Sequence, residues 1–298
     1  ARIQKRTISG KTYYYLVHTI REGKKVSKKE KYLGARLPKD IEGLKSEFLA
    51  QICKEKWHPI FERIKSAYSG ENRQMPKEVR RKNLEAFSIR FTYDTQRIEG
   101  SALSLRETAD LLQKGISPGK KPIRDAKEAQ AHQKLLFKIL KQKKDLAPQI
   151  VLDWHKELFW QTQPELAGKL RAYKVMISGS RFSPPSPNRV GPMLMEFFSW
   201  YEKNKEKIHP VELAALAHLK FVTIHPFGDG NGRISRLLMN FVLFRNGFPM
   251  INIHYEKRRS YYTALEHAQI RGEDSIFVHW LFRRYAKKFK EYAAKGEE

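Results

Sequence analysis

A glycine-rich segment, residues 225–233 (HPFGDGNGR), holds the side chains best suited to chemistry in this chain. Gly230, Asn231 and Gly232 run directly into a predicted helix, and glycines let successive main-chain N–H groups converge on an anion. The N-terminus of a helix adds about half a positive charge at the same point. The sequence therefore predicts a phosphate-binding nest at the start of this helix.

Other side chains of the segment suit a reaction at a phosphate. Asp229 is a carboxylate beside the nest and would repel a bound phosphate. Mg²⁺ between this carboxylate and the phosphate oxygens would remove the repulsion. His225 is the side chain of the motif that can exchange a proton near pH 7. Arg233 and Arg236 share one face of a largely apolar helix, and inward-facing arginines need an anion. Together these residues indicate a transferase that uses a nucleotide.

Each of these features has a plainer explanation when it stands alone. A histidine before proline is usually a loop residue, and a GDGNG sequence is usually a turn. Two arginines three positions apart usually lie on a solvated helix face. The combination within residues 225–236 is much more specific than any single feature, so the functional interpretation is favoured.

Residues 225–236 (HPFGDGNGRISR) resemble the signature of Fic-domain proteins, HPFx(D/E)GNGRxxR, at every specified position. The resemblance covers about residues 84–285. It implies a mainly α-helical core with a β-hairpin flap. It also implies transfer of AMP from ATP to a Ser, Thr or Tyr hydroxyl of a protein, the chain itself included, with release of pyrophosphate.

The resemblance assigns a role to each residue of the motif. His225 would deprotonate the target hydroxyl, and Asp229 would hold Mg²⁺ or Mn²⁺ on the phosphates. Arg236 would bind the γ-phosphate. The complete set that would bind the phosphates is Gly230, Asn231, Gly232, Arg233 and Arg236.

A second motif lies about 130 residues earlier in the chain. Residues 95–100 (TQRIEG) fit the inhibitory pattern of the same family, (S/T)xxxE(G/N), with Thr95, Glu99 and Gly100 at the defining positions. A Glu99 carboxylate that reached Arg236 would form a charge-assisted pair and occupy the guanidinium that the γ-phosphate needs. The sequence therefore predicts an enzyme that carries its own inhibitor.

Two further contacts are predicted around the motif. The family's flap, here within residues 174–182, would dock the target as an added strand; the alternative is a plain surface hairpin. The predicted flap residues are Lys174, Val175, Met176 and Ile177. Tyr261 and Tyr262 follow the motif helix and are candidates for stacking on adenine, with packing in the core as the alternative.

The elements that must position these residues are mostly helices, because apolar residues recur at three- and four-residue spacing. The helices are predicted at 41–67, 76–98, 125–143, 148–162, 190–204, 210–224 and 233–245. A break is predicted at Ser69 and Gly70. Residues 214–224 of the sixth of these helices are apolar nearly all round, which is typical of a buried central helix.

The first residues differ in pattern from the rest. Residues 12–20 and 26–33 are predicted strands joined by a turn at Gly23. The predicted domains are a small basic β-sheet module at 1–36, a helical linker region at 37–83, a Fic domain at 84–290 and a tail at 291–298. Residues 1–40 contain 12 Lys and Arg against three acidic residues. DNA or RNA binding by this module, through stacking and phosphate contacts, and a role in packing or dimerisation are both open.

Composition limits the remaining possibilities. The 298 residues include 58 Lys and Arg against 32 Asp and Glu, a net charge of +26, which favours anionic partners. Residues 114–144 form a further basic stretch, predicted to be a solvated helix face. One cysteine fits a reducing cytoplasm, and neither a membrane-spanning segment nor a signal peptide is predicted.

Three functions compete at this point. The first is a self-inhibited AMP transferase. The second is a hydrolase that removes AMP at the same site, with Glu99 positioning a water molecule. The third is a DNA-binding regulator whose Fic core senses ATP, but a pure sensor has no need of a base such as His225.

Overall fold

The computed structural model describes residues 1–22 and 25–295 and contains two compact units, residues 1–62 and residues from Arg63 onward. The predicted turn at Gly23 and the last three residues of the predicted tail lie outside the described residues. The domain boundaries predicted at 36/37, 83/84 and 290/291 stay predictions. Among the described residues, no helix combines the length and apolar character needed to cross a bilayer.

The first unit contains an antiparallel sheet in the order β1 (Arg2–Ile8), β2 (Lys11–Glu22) and β3 (Lys25–Gly34). β2 and β3 correspond to the predicted strands, whereas β1 was not predicted. β1 and β2 are joined by Ser9 and Gly10, both at positive φ, as a tight hairpin requires. Leu16 of β2 is fully buried and packs with Phe48 and Ile52 of the following helix.

That helix, α1 (Ile41–Gln74), continues through the predicted break and contains the boundary between the two units. A single glycine costs a helix only about 1 kcal/mol relative to alanine. Gly70 is flanked on both sides by residues that tolerate a helix, so the penalty does not end α1. The prediction of a break at Ser69 and Gly70 was therefore wrong.

The second unit is helical, which confirms the predicted fold class of a mainly α-helical core with a small N-terminal sheet. Its helices are α2 (Lys77–Ile98), α3 (Leu105–Lys114), α4 (Ile123–Lys141), α5 (Pro148–Phe159), α6 (Pro187–Asn204), α7 (Pro210–Ile224), α8 (Asn231–Arg245), α9 (Arg258–Arg271), α10 (Asp274–Lys288) and α11 (Lys290–Ala294). Helix α3 was missed, although Ser104 and Glu107 form a capping box at its start. Helices α9 and α10 were missed as well.

The core of this unit is built around α7 and α8. Leu213, Ala214 and Ala215 of α7 are fully buried, as are Leu237 and Leu238 of α8. This confirms that residues 214–224 belong to a buried central helix. Because both helices are fixed by their neighbours, the short loop between them is held rigidly at both ends.

Candidate active site

The loop between α7 and α8 is shaped by left-handed residues at both ends. His225 ends α7 with a φ of 51°, and Gly230 precedes α8 with a φ of 79°. The Asn231 side chain accepts a hydrogen bond from the Phe227 main-chain N–H and donates one to the Phe227 carbonyl, both at 2.9 Å. The Asn231 amide thus closes the loop, so a contact from Asn231 to phosphate would come from its main-chain N–H.

Two glycines allow close approach to the start of α8. A Cβ on Gly230 would lie 2.3 Å from the Phe159 ring, and a Cβ on Gly232 would lie 2.3 Å from Glu99 Oε1. The first N–H groups of a helix have no acceptor within the helix. The start of α8 therefore carries main-chain donors at positions where a larger side chain does not fit.

The His225 imidazole has the protonation state of a base. Its Nδ1 lies 3.2 Å from the Val222 carbonyl oxygen. Because a carbonyl only accepts, Nδ1 carries the proton and Nε2 keeps its lone pair. Burial lowers the pKa of His225 and outweighs the hydrogen bond to Val222, and the positive charge of Arg171 lowers it further. The imidazole is therefore neutral at pH 7 and can take a proton from a hydroxyl.

The Asp229 carboxylate is surrounded by donors. Its Oδ2 accepts from Arg124 at 2.8 Å and from Gln163 at 2.9 Å, while its Oδ1 accepts from Arg233 at 2.9 Å and from the Gly230 N–H at 2.6 Å. Burial alone would raise the pKa of Asp229, but these cations and hydrogen bonds lower it to about 2. Asp229 is therefore ionised, and arginine side chains balance its charge in this structure.

Arg233 lies inside the protein rather than at an open surface. Its guanidinium contacts Glu128 and Asp229 and donates to Gln96 at 3.1 Å. Glu128 also accepts from Arg124 Nε at 2.7 Å. Arg233 thus holds the loop against α2 and α4, and its predicted contact with a triphosphate stays a prediction.

Arg236 and Glu99 form the ion pair expected from the sequence. Arg236 Nη2 lies 2.6 Å from Glu99 Oε1, and the Arg236 side chain is 1% exposed against 27% for Glu99. Thr95 fixes the guanidinium through its hydroxyl at 2.5 Å. Glu99 follows the last residue of α2, and Gly100 turns the chain with a φ of 98°. The Glu99 carboxylate is therefore paired with the Arg236 guanidinium, which is predicted to bind a γ-phosphate.

Comparison with known proteins places this loop in a family. A family model described as Fic/DOC family matches residues 145–243. The chain is 32% identical over 220 residues to the protein adenylyltransferase fic-1 of Caenorhabditis elegans, an alignment that covers 72% of this chain and 42% of that relative. The chain thus spans less than half the length of this curated relative.

Solved structures agree with the sequence match. A Fic domain containing signaling protein from Bacteroides thetaiotaomicron superposes with a TM-score of 0.70 at 28% identity, covering 80% of this chain and 98% of the other. The chain belongs to the Fic/DOC family. Fic-1 of C. elegans (aa134–508) superposes with a TM-score of 0.68 at 27% identity, covering 86% of this chain and 77% of the other. The family resemblance seen in the motif is thereby confirmed.

The flap region of this Fic protein has a turn at Ser178 and Gly179 with an irregular arm on either side. The Ser180 N–H donates to the Ile177 carbonyl at 3.1 Å, but residues 160–186 contain no β-strand. The predicted hairpin therefore lacks a ladder, because Pro184 and Pro185 on the returning arm have no main-chain N–H to donate. The first arm carries the predicted flap residues Lys174, Val175, Met176 and Ile177. Met176, which lies just before the turn, is 96% exposed.

The two tyrosines after the Fic motif differ in environment. Tyr261 is 1% exposed and its hydroxyl lies 2.9 Å from His218 Nε2 and 3.4 Å from Arg236 Nη1. Tyr261 thus packs in the core of this structure, the alternative considered for it, and its stacking on adenine stays a prediction. Tyr262 is 45% exposed and donates to the Ile98 carbonyl beside Glu99. Its contact with adenine stays a prediction.

His155 is a positioning residue that the sequence did not reveal. Its Nδ1 accepts from the Gly168 N–H at 2.9 Å and its Nε2 lies 3.0 Å from the Asp229 carbonyl. Burial lowers the pKa of His155 to about 4, so the ring is neutral and can both accept and donate. It therefore connects the segment before the flap to the Fic loop.

Arg171 connects the flap to the proposed base. The guanidinium donates to the carbonyls of His225 at 2.7 Å, Tyr173 at 3.0 Å and Pro185 at 2.6 Å. Arg171 is 4% exposed and forms no ion pair with any residue in the described ranges. Nothing in the sequence indicates that this arginine has three carbonyl partners from two segments.

Substitution of Arg171 by glutamine should raise the pKa of His225 towards its usual value, because a nearby positive charge that disfavours the imidazolium is removed. The pKa can be read from the ring resonances of His225 in an NMR titration. Arg171→Lys is the matched control, since it keeps the charge while losing the planar set of donors. An unchanged pKa in Arg171→Gln would show that the charge of Arg171 does not lower the pKa of His225.

Proposed function

We propose that this Fic protein is a protein adenylyltransferase that moves AMP from ATP to a Ser, Thr or Tyr hydroxyl of a protein, itself included. The observation that carries the proposal is a neutral His225 whose Nε2 is unprotonated, placed one short loop away from the donors at the start of α8. A curated relative named protein adenylyltransferase supports it. We place the activity in the cytoplasm as part of the proposal, because a single cysteine allows no intrachain disulfide.

The proposed reaction uses each part of the site once. The hydroxyl oxygen of the target attacks the α-phosphorus, and the bond from that phosphorus to the bridging oxygen breaks. Pyrophosphate leaves with the bonding electron pair, while Nε2 of His225 takes the hydroxyl proton. The N–H groups at the start of α8, with Gly230 and Gly232, stabilise the negative charge on the phosphate oxygens.

A divalent cation fits the donors of this site. Asp229 is ionised and offers hard carboxylate oxygens, which Mg²⁺ and Mn²⁺ prefer. Arg124, whose side chain is 52% exposed, can withdraw from Oδ2 into solvent to admit the ion. When bound, the ion would neutralise charge on the phosphates of ATP. We propose Asp229 as its protein ligand.

Self-inhibition is part of the same proposal. Glu99 pairs with Arg236 and its Oε1 also fills the space beside Gly232 where a Cβ would stand. A carboxylate at this place would repel the γ-phosphate. It would also prevent the γ-phosphate from binding the Arg236 guanidinium. ATP could then bind only in a pose from which AMP is not transferred.

Incubation with α-labelled ATP tests the proposal. Label should enter protein only when Mg²⁺ or Mn²⁺ is present, because the triphosphate charge must be neutralised. Excess EDTA should stop the incorporation of label, and Asp229→Asn should lower it strongly. ATP labelled at the γ-phosphate should give no labelled protein. Undiminished incorporation in EDTA would contradict the assignment of Asp229, and label from the γ-position would indicate phosphorylation instead.

The N-terminal sheet supports a second candidate function, contact with DNA or RNA. The Tyr32 ring lies 6.1 Å from the Tyr13 ring and 5.3 Å from the Tyr15 ring, and Arg6, which is paired with Glu30, lies 4.4 Å over the Tyr15 ring. Tyr32 is 55% exposed. Aromatic rings beside cations suit single-stranded nucleic acid, where each stacked base contributes about 1–3 kcal/mol.

Tyr32→Ala should therefore weaken binding of a labelled single-stranded oligonucleotide by roughly 5- to 150-fold if this face binds bases. Lys28→Gln on β3 should flatten the salt dependence by about 0.7 in the log–log slope. Lys77→Gln, an exposed lysine of α2, is the matched control and should change neither. Affinity unaffected by Tyr32→Ala would identify the sheet as a packing module, with any oligonucleotide binding due to general charge.

A further inference from the structure

A basic groove of about 750 Å³ lies on the outer surface of α4 and α5. Helix α4 contributes Lys127, Lys134 and Lys138, which share one helix face because they are spaced by seven and four residues. The end of α5 contributes Lys156 and the adjoining Trp160. We call this surface the lysine groove. It belongs to the basic stretch that the sequence suggested was only a solvated helix face.

The lysine groove has unbalanced positive charge. Lys127 and Lys134 form no ion pair with any residue in the described part of the chain, whereas Lys138 is paired with Glu157. Asp153 is the other carboxylate of the lining. Four lysines therefore face two carboxylates, and the two unpaired lysines are available to an anionic ligand.

Trp160 gives the groove an apolar anchor point. It is 59% exposed, although it directly follows α5 and stands among charged side chains. Lys156 lies 5.5 Å over its ring, which leaves the opposite ring face open. Exposed tryptophans in such settings are typical of binding surfaces, where they act as anchors.

The groove leads towards the flap. A second depression of about 350 Å³ shares Lys156 and Trp160 with it and is lined further on by Gly168 and Lys169. Gly168 is the residue that donates to His155, and Arg171 follows three positions later. A chain lying in the groove would therefore run towards the segment on which the target hydroxyl is expected to dock.

We propose that the lysine groove binds an acidic segment of the protein target, on one side of the hydroxyl that receives AMP. This inference rests on the proposed function, since it names the class of target for the same site. Carboxylates of the target would pair with Lys127 and Lys134, and an apolar or aromatic side chain would lie on Trp160. The groove would then raise the affinity for such targets without taking part in the chemistry.

The charge pattern favours a peptide over a nucleic acid. Asp153 and Glu157 lie among the lysines and would repel an unbroken row of phosphates, whereas a peptide can place a neutral or basic residue beside them. Lys156 already covers one face of Trp160, so a base could stack only on the other face. A mixed sequence with acidic and apolar residues satisfies all of these groups.

Fluorescence anisotropy with a labelled glutamate-rich peptide that contains a central leucine tests the proposal without ATP, so the result does not depend on AMP transfer. We expect the double variant Lys127→Glu/Lys134→Glu to weaken binding by on the order of tenfold or more. The matched control Lys141→Glu/Lys143→Glu has the same change of net charge outside the groove and should retain the affinity. Trp160→Ala should weaken binding while the salt dependence stays the same.

Several results would overturn the proposal. Equal losses in both double variants would assign the binding to general charge. A thymidine oligonucleotide of equal charge that binds more tightly than the peptide, with the same loss in Lys127→Glu/Lys134→Glu, would identify a nucleic-acid groove. Peptide binding that is lost only in the groove variants would support the proposal even if no AMP transfer were found, so the two hypotheses fail separately.

Discussion

Glu99→Gly should raise the initial rate of AMP transfer by about 10- to 100-fold, including transfer onto the chain itself. The pair with Arg236 is a hydrogen bond between charged groups, and such bonds contribute about 1.5–3 kcal/mol. Every 1.4 kcal/mol corresponds to roughly a tenfold change. Because Glu99 is partly exposed, solvent screening favours the lower part of this range.

Two further variants test the pair between Glu99 and Arg236, one at each residue. Glu99→Gln keeps the size and one hydrogen bond to Arg236 but removes the negative charge, so it should release part of the inhibition. Arg236→Ala removes the partner of Glu99 and also the predicted partner of the γ-phosphate, so its rate should stay low. The double variant Glu99→Gly/Arg236→Ala should therefore have the same low rate as Arg236→Ala alone.

Initial rates of label incorporation, measured with thermal unfolding of every variant, test this prediction. An AMP-transfer rate in Glu99→Gly that equals or falls below that of the wild type, with folding intact, would contradict the prediction. In that case Glu99 does not restrain transfer. If prelabelled protein then lost AMP in the wild type but not in Glu99→Gly, the hydrolase interpretation would replace inhibition.

Local patterns made the motif predictable from sequence. His225 and Arg236 lie in one continuous segment, so their spacing was visible without knowledge of the fold. The burial of residues 214–224 was predictable because a helix that is apolar on nearly all faces is favoured in the core. Glu99 and Arg236 are far apart in sequence, and their contact was inferred from a second motif rather than from physical pattern.

The remaining parts of the site depend on tertiary packing. Arg124 and Glu128 belong to a helix whose exposed and buried faces are both charged, so no periodicity distinguishes them. Tyr261 is buried with its hydroxyl beside His218 and Arg236, two residues that lie far from it in the sequence. Such requirements follow from burial, which a single sequence does not display.

Replacement of His225 by alanine should lower AMP transfer by about 10² to 10⁴-fold, the usual contribution of a positioned base. ATP binding should persist nearly unchanged, because the donors at the start of α8 and the Asn231 bonds that shape the loop do not involve the imidazole. The loss is best measured in the Glu99→Gly background, where the starting rate is high. Calorimetric titration with ATP gives the parallel binding measurement.

The pH dependence of the same reaction adds a second test of His225. Burial and Arg171 lower its pKa, so the neutral base persists below pH 6.5, and transfer should fall only as pH drops through this lowered value. The alanine variant should lack this acidic limb in its residual rate. His267→Ala, a change at a histidine that lies outside the loop, is the matched control and should keep both rate and profile. Near-full transfer in His225→Ala would mean that another group, or the bound phosphates themselves, removes the proton from the target hydroxyl.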